Sequence, residues 1–112
     1  MKKIRIISVP FNDQGMKDME NDLDNSEYVQ EFKINEKQFY TLFESGIFNV
    51  LNRECDVLID DFETELIDFE SLLKANKVLS NSFENSNCYE IEVLLGLISL
   101  TIEMKKGIYF HF

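Results

Sequence analysis

The chain has 112 residues, which is the length of one domain, and we expect a single domain over residues 1–112. Its hydrophobic fraction of 45% and aromatic fraction of 12% are too high for a disordered chain, despite a formal net charge of -10. The excess of 21 acidic over 11 basic residues disfavours nucleic acid and anionic membranes as ligands, because both are bound mainly through Lys and Arg. No apolar run approaches the roughly 20 residues that span a bilayer, so the sequence predicts a cytoplasmic protein, with Cys55 and Cys88 as reduced thiols.

The first third of the chain reads as two strands separated by a polar excursion. Lys2 to Val9 and Glu27 to Ile34 alternate as strands do, and neighbouring strands usually pair, so we expect an N-terminal hairpin. Phe11 to Asn25 contains turn-forming residues followed by a short stretch that is compatible with either a helix or irregular structure. For this segment we expect a mobile surface loop.

A helix is predicted to begin after Asn35. The Asn35 side chain can cap the free amides, and Gln38 occupies the capping-box position. Apolar residues then recur at helical spacing as far as Leu51. The Ser45-Gly46 pair leaves open whether this stretch is one helix or two.

The middle of the chain is predicted to be extended before it becomes helical again. Val57 to Ile59 form a short apolar run that is typical of a buried strand, and continued extension would place Asp61, Glu63 and Glu65 on one side. A helix from Asp61 onward is the competing interpretation. Asp68 can cap a helix that ends near Ser80.

The last third predicts a long, largely buried helix followed by a terminal strand. Asn85 or Ser86 can cap this helix, Gly107 ends it, and Ile108 to Phe112 should enter a sheet. The fold class that results is α+β, with a small, mostly antiparallel sheet made of the N-terminal hairpin, a middle strand and the C-terminal strand. We expect the helices to pack on one face of it.

A dense acidic segment is the clearest functional signal. Eight carboxylates and no Lys or Arg lie between Glu54 and Glu70, with apolar residues between them, so these charges must repel one another on ordered backbone. One interpretation is a solvent-exposed face without a binding role, and the other is a surface that binds a basic protein. The predicted contact residues are Asp56, Asp60, Asp61, Glu63, Glu65 and Asp68.

Other patterns in the sequence point less clearly to a function. Glu20 to Glu31 has the acidic spacing of a calcium loop but lacks its glycine, so we favour a polar loop and predict no metal site. His111, the only imidazole, is interpreted as a packed histidine in a Phe-rich strand, so we predict no cofactor and no enzymatic activity. The alternative function is a regulatory, adaptor or homo-oligomeric subunit that binds another protein through an apolar patch around Phe11, Phe62 or Phe83.

Three segments together resemble a known class of proteins: Gly46 to Phe48 with Leu51 and Asn52, Leu58 to Ile67, and Gly107 to Phe112 after a long helix. This arrangement is similar to the small acidic immunity proteins that accompany bacterial polymorphic and contact-dependent toxins. The resemblance implies a cytoplasmic inhibitor that binds a cognate basic toxin, of the nuclease type, and blocks it by occlusion. It implies no catalytic residues.

Overall fold

The computed structural model describes residues 4–23 and 25–112, and within them the fold is α+β as the sequence predicts. The elements in chain order are β1 (Arg5–Pro10), α1 (Asp13–Glu20), β2 (Val29–Ile34), α2 (Glu36–Ser45), α3 (Ile47–Cys55), β3 (Thr64–Ile67), α4 (Phe69–Phe83), α5 (Tyr89–Glu103) and β4 (Ile108–His111). Lys2 and Lys3 of the predicted first strand lie outside the described residues. None of the helices described is both long and apolar enough to cross a membrane.

The four strands form one antiparallel sheet in the order β2-β1-β4-β3. The predicted N-terminal hairpin is confirmed, with Ile7 opposite Phe32 on β2. The C-terminal strand enters the middle of the sheet, where Phe110 lies opposite Ile7 on one side and Glu65 on the other. Strands β2 and β3 are therefore the two edges.

An aromatic core lies between the sheet and the helices α2 to α5. Phe39, Phe48 and Phe110 are almost fully buried, and Phe112 lies among them. The rings of Phe39 and Phe112 meet edge to face with centroids 5.2 Å apart, a favoured arrangement for aromatic pairs. The helices thus cover the sheet face that carries Ile7.

The predicted helix caps explain where α2 and α4 begin. Asn35 and Gln38 form the capping box at the start of α2, and the Asp68 side chain accepts a hydrogen bond from Ser71 N at the start of α4. Gly46 has a φ of 88°, a left-handed conformation that suits glycine, and it separates α2 from α3. The Ser45-Gly46 alternative is thereby resolved in favour of two helices.

The cap predicted for α5 is wrong. The helix begins after Cys88, which makes no side-chain capping bond, while the Ser86 hydroxyl accepts a hydrogen bond from Cys88 N before the helix starts. The preceding helix α4 also continues to Phe83, beyond the predicted end near Ser80. The apolar pattern located both helices, but it did not define their ends.

The mobile loop expected between Phe11 and Asn25 is wrong over most of its length, because this segment contains α1. Asn12 caps the helix by accepting a hydrogen bond from Gly15 N at 2.8 Å. A Cβ atom on Gly15 would lie 2.4 Å from Tyr28 O and 3.1 Å from Pro10 Cβ, so only glycine allows this approach to the sheet. Helix α1 accordingly packs on the sheet face opposite α2 to α5.

The strand predicted at Val57 to Ile59 is wrong, and so is the competing helix from Asp61. The Asn52 side chain accepts a hydrogen bond from Ile59 N at 2.6 Å and donates one to Ile59 O at 3.1 Å. One side chain therefore satisfies the backbone groups that a neighbouring strand would otherwise bind. The strand of this region is β3, which begins only at Thr64.

Candidate functional site: an acidic sheet edge

The chain from the end of α3 to the start of α4 contains β3, which is an edge strand of the sheet. We call the carboxylates of this stretch the acidic edge, which comprises Glu54, Asp56, Asp60, Asp61, Glu63, Glu65, Asp68 and Glu70. The order of the elements thus places β3, in the middle of the predicted acidic segment, at one border of the sheet.

A buried arginine fixes the centre of the acidic edge. Arg5 on β1 is only 3% exposed, and it donates through Nε and Nη2 to the two carboxylate oxygens of Asp61 at 3.1 and 3.0 Å. The guanidinium carbon lies 4.0 Å from the centroid of the Phe39 ring, within the range of a cation–π contact. Such a two-pronged pair holds Asp61 in a single orientation.

The turn around Asp61 is closed by its own backbone. Glu63 N donates to Asp60 O at 3.3 Å, and the Asp60 side chain accepts a bond from Asp61 N at 2.8 Å. Phe112 N donates to Glu63 O at 2.9 Å, which continues the pairing of the sheet beyond β3. Residues Asp60 to Glu63 are therefore held from the sheet side and from within.

Phe62 lies in this turn with its side chain largely exposed to solvent. Its side chain is 82% exposed, and its φ of 67° places it in the left-handed region, where a bulky residue is rare. An exposed aromatic ring in an unfavourable backbone conformation, between Asp61 and Glu63, is not required by the packing of the core. Such outliers concentrate at functional sites.

The six predicted contact residues do not share one environment. Asp56, Asp60, Glu63 and Asp68 are exposed, whereas Asp61 and Glu65 are half-buried. Asp68 also caps α4, and Asp56 ends α3 with a φ of 53°. The carboxylates that contribute least to the fold are those of Asp56, Asp60 and Glu63.

Basic side chains relieve part of the repulsion in the acidic edge. Arg5 pairs with Asp61, and Arg53 Nε lies 3.3 Å from the Glu54 carboxylate. The sequence pattern missed Arg5, because it lies 56 residues from Asp61 and its strand gives no sign of a distant partner. The one available signal was the alternation of β1. It places Arg5 on the same side of the strand as Ile7, and that side is buried.

A second group of carboxylates lies on α1 and the turn after it, and two of them, Asp13 and Asp18, are paired within the fold. Asp18 is buried and accepts bonds from Ser26 Oγ at 2.6 Å and Gln14 Nε2 at 2.8 Å, which hold the pKa of its carboxyl below the ordinary value. Asp13 pairs with Lys106, whose hydrogen bond and charge lower the pKa of Asp13 in the same way. These acids hold α1 in place.

Asp24, a member of the predicted calcium-like loop from Glu20 to Glu31, lies outside the described residues. Within the part of the chain that is described, no group of three or more His, Cys, Asp or Glu side chains is placed to hold a metal ion. Ser26, which the loop pattern would make a ligand, instead donates to Asp18.

The aromatic residues of the alternative apolar patch are dispersed. Phe83 is partly buried against the core, and Phe11 is 38% exposed at the end of β1. Phe62 follows Asp61, which contacts Arg5 at the other end of the same strand. The six residues of β1 span roughly 20 Å, so Phe11 and Phe62 lie at opposite ends of the sheet.

Comparison with known proteins gives one informative likeness. No protein-family model matches the chain, and no curated protein matches it significantly. Among solved structures, the Neisseria DNA mimic protein DMP12 shares its fold. The superposition has a TM-score of 0.64 at 23% sequence identity, and it covers 97% of this chain and 98% of that chain.

This likeness corrects the predicted partner. We expected the partner to be a cognate basic toxin and expected no involvement of nucleic acid. A protein that shares this fold along nearly its whole length is instead named for its imitation of DNA. The expectation is wrong because a negative net charge excludes DNA only as a ligand, and it leaves open that the chain resembles DNA itself. Membership of the immunity proteins and the absence of enzymatic activity stay predictions.

Proposed function

We propose that this protein is a DNA mimic, which binds a DNA-binding protein on the surface that otherwise contacts the phosphate backbone. The observation that carries the proposal is the acidic edge: eight carboxylates in a stretch without Lys or Arg, ordered by the buried Arg5–Asp61 pair. The fold shared with a Neisseria DNA mimic supports it. Binding requires no chemistry, so the proposal includes that the protein is not an enzyme.

The spacing of the charges supports imitation of a phosphate backbone. Glu63 and Glu65 alternate along an extended segment, so their side chains leave the backbone at intervals of roughly 6.6–6.8 Å. One strand of DNA carries a phosphate every 3.4 Å or so along the helix axis. This pair of carboxylates therefore has about half the linear charge density of one strand, on backbone that does not need to be ordered upon binding.

Fixed carboxylates also favour rapid and salt-dependent association. A DNA-binding surface presents Lys and Arg side chains to phosphates, and a complementary negative potential speeds the encounter. Asp56, Asp60 and Glu63 are exposed, so they can meet such side chains without unfolding any element. Phe62 adds an aromatic face beside them, on which a guanidinium group can stack.

The test neutralises the three exposed carboxylates together, as Asp56→Asn, Asp60→Asn and Glu63→Gln. Asn tolerates the left-handed backbone of position 56, and at position 60 it keeps the oxygen that accepts the bond from Asp61 N. The variant thus removes charge and retains the local hydrogen bonds. A matched control removes three exposed charges from α2 and α5, as Glu44→Gln, Glu92→Gln and Glu103→Gln.

Proteins captured from an extract of the native cell by the immobilised chain would be identified, and the dissociation constant of each would be measured at several salt concentrations. We expect duplex DNA to displace the partner, and the triple variant to bind it about tenfold more weakly and with a smaller salt slope than the control. A partner that binds duplex DNA and this protein at the same time would refute the proposal. Equal affinity of the triple variant and the control would refute the assigned surface.

A further inference from the structure

A cleft lies on the sheet face that α2 to α5 leave uncovered. It has a volume of about 260 Å³ and is lined by Ile6, Met19, Asp22, Leu23, Glu31 and His111. The register of the sheet explains this grouping, because Ile6 lies opposite His111 on β4, and Glu31 lies on the neighbouring strand β2. Helix α1 and the turn after it supply the other wall. Because ligand pockets for drug-sized molecules start at about 300 Å³, the cleft suits a single long side chain better.

The lining combines an apolar floor with a negative rim. Ile6, Met19 and Leu23 provide aliphatic surface, and Asp22 and Glu31 are exposed carboxylates. Long basic side chains bury an aliphatic stem and keep a charged head in polar surroundings, so they match such a lining. A neutral or acidic side chain would leave both carboxylates without a partner.

His111 gives the cleft a flat wall. Its ring lies parallel to that of Tyr109, with an interplanar angle of 5° and centroids 5.9 Å apart, so its orientation is defined by the neighbouring side chain. Burial lowers the pKa of His111, against the opposite influence of Glu31 and Asp22, and so favours the neutral imidazole, which does not repel a cation. Lys33, on the other side of Ile6, is the base nearest in register, and it is not part of the lining.

We infer that this cleft receives an arginine side chain of the DNA-binding partner, with Asp22 and Glu31 accepting hydrogen bonds from the guanidinium group. Arginine is favoured over lysine because its planar fork can bond two carboxylates at once and lie against an imidazole ring. The identity of the partner rests on the proposed function. The preference of the cleft for a guanidinium group does not, and it can be measured without any partner.

The experiment titrates the whole protein with a blocked arginine, N-acetyl-arginine amide, and follows the His111 ring protons and the methyl groups of Ile6 and Met19 by NMR. We expect saturable shifts at these groups, weaker shifts with blocked lysine, and none with blocked glycine. The variant Asp22→Asn with Glu31→Gln should bind blocked arginine about fivefold more weakly. Its control, Glu36→Gln with Glu44→Gln, removes two exposed charges from α2 and should not change the affinity.

Two outcomes overturn the inference: shifts that do not cluster at the cleft, or an unchanged affinity in the Asp22 and Glu31 variant. Either would leave the proposed function intact, since that function rests on the acidic edge. Conversely, arginine binding that depends on Asp22 and Glu31 supports the cleft even if neutralising Asp56, Asp60 and Glu63 fails to weaken the partner complex.

Discussion

The acidic edge and helix α1 both carry clustered carboxylates, but the two regions are held in place in different ways. In the acidic edge a buried guanidinium provides the anchor, since Arg5 binds Asp61 from inside the fold. Around α1 the carboxylates themselves provide it, because Asp18 accepts bonds from two neighbours and Asp13 pairs with Lys106. The first arrangement leaves other acids of the segment exposed and available for a partner. The second uses Asp13 and Asp18 to hold the fold together.

This difference separates acidic residues that can be removed from those that cannot. Neutralising Asp60 or Glu63 should cost little stability and relieve repulsion within a chain of formal net charge -10. Removing Asp18, or the arginine that holds Asp61, should cost much more. Stability measurements on single variants therefore test the comparison directly.

The largest effect is expected for Arg5→Leu. This change leaves the half-buried Asp61 without the guanidinium and removes the cation from above Phe39, so the free energy of unfolding should fall by roughly 3 kcal/mol. Denaturant unfolding would measure it. The conservative Arg5→Lys should recover only part of the loss, because an ammonium group cannot make the two-pronged bond. A loss below about 1 kcal/mol for Arg5→Leu would mean that the pair does not anchor the acidic edge.

An intermediate effect is expected for Asp18→Ala, which removes the shared acceptor of Gln14 and Ser26 and should lower the melting temperature by several degrees. Glu20→Ala, which removes an exposed acid in the same helix, is the control.

The effect of Asp18→Ala should also depend on pH. Because the pKa of Asp18 is lowered in the folded protein, its contribution to the free energy of unfolding is present above the ordinary value of 3.8 and disappears as pH falls through the folded value. The difference between wild type and Asp18→Ala should therefore shrink in acid. A difference that grew on acidification would contradict the assigned hydrogen bonds.

The contrast between the two regions also shows what the sequence could predict. The hairpin followed from the alternation of its two strands and the tendency of neighbouring strands to pair. Local signals were sufficient for the Asn35 and Asp68 caps and for the break at Gly46, because each depends on residues within one turn of the element. The acidic edge was located for the same reason, since charge density is visible along the chain. Its position on the outer strand depends on pairing with a strand more than 40 residues away, which the local pattern does not encode.

The failures of the sequence analysis have tertiary causes. Val57 to Ile59 resembles a strand, but the Asn52 side chain takes the backbone bonds of Ile59 and leaves the segment irregular. A loop was preferred to helix α1 because the helix is short and polar, and its stability comes from the Asn12 cap and from the close approach that Gly15 allows. The roles of Arg5 and of the cleft residues around His111 arise only when distant strands meet.

The smallest stability effect, and the sharpest separation of fold from function, is expected for Phe62→Gly. The left-handed backbone costs Phe62 about 1–2 kcal/mol, and glycine adopts it without that cost. Glycine in turn loses more chain entropy on folding, which costs about 0.5–1 kcal/mol. The 82% exposure of the ring means that its removal costs little burial. The free energy of unfolding should therefore stay within about 1 kcal/mol of wild type and not fall below it. Affinity for a DNA-binding partner should nevertheless fall, because the aromatic face beside the carboxylates is gone. Phe62→Tyr, which keeps that face, is the control for binding.

A Phe62→Gly protein that is much less stable than wild type would show that the ring is a packing residue. The reason for an aromatic side chain on this turn would then lie in folding rather than in recognition.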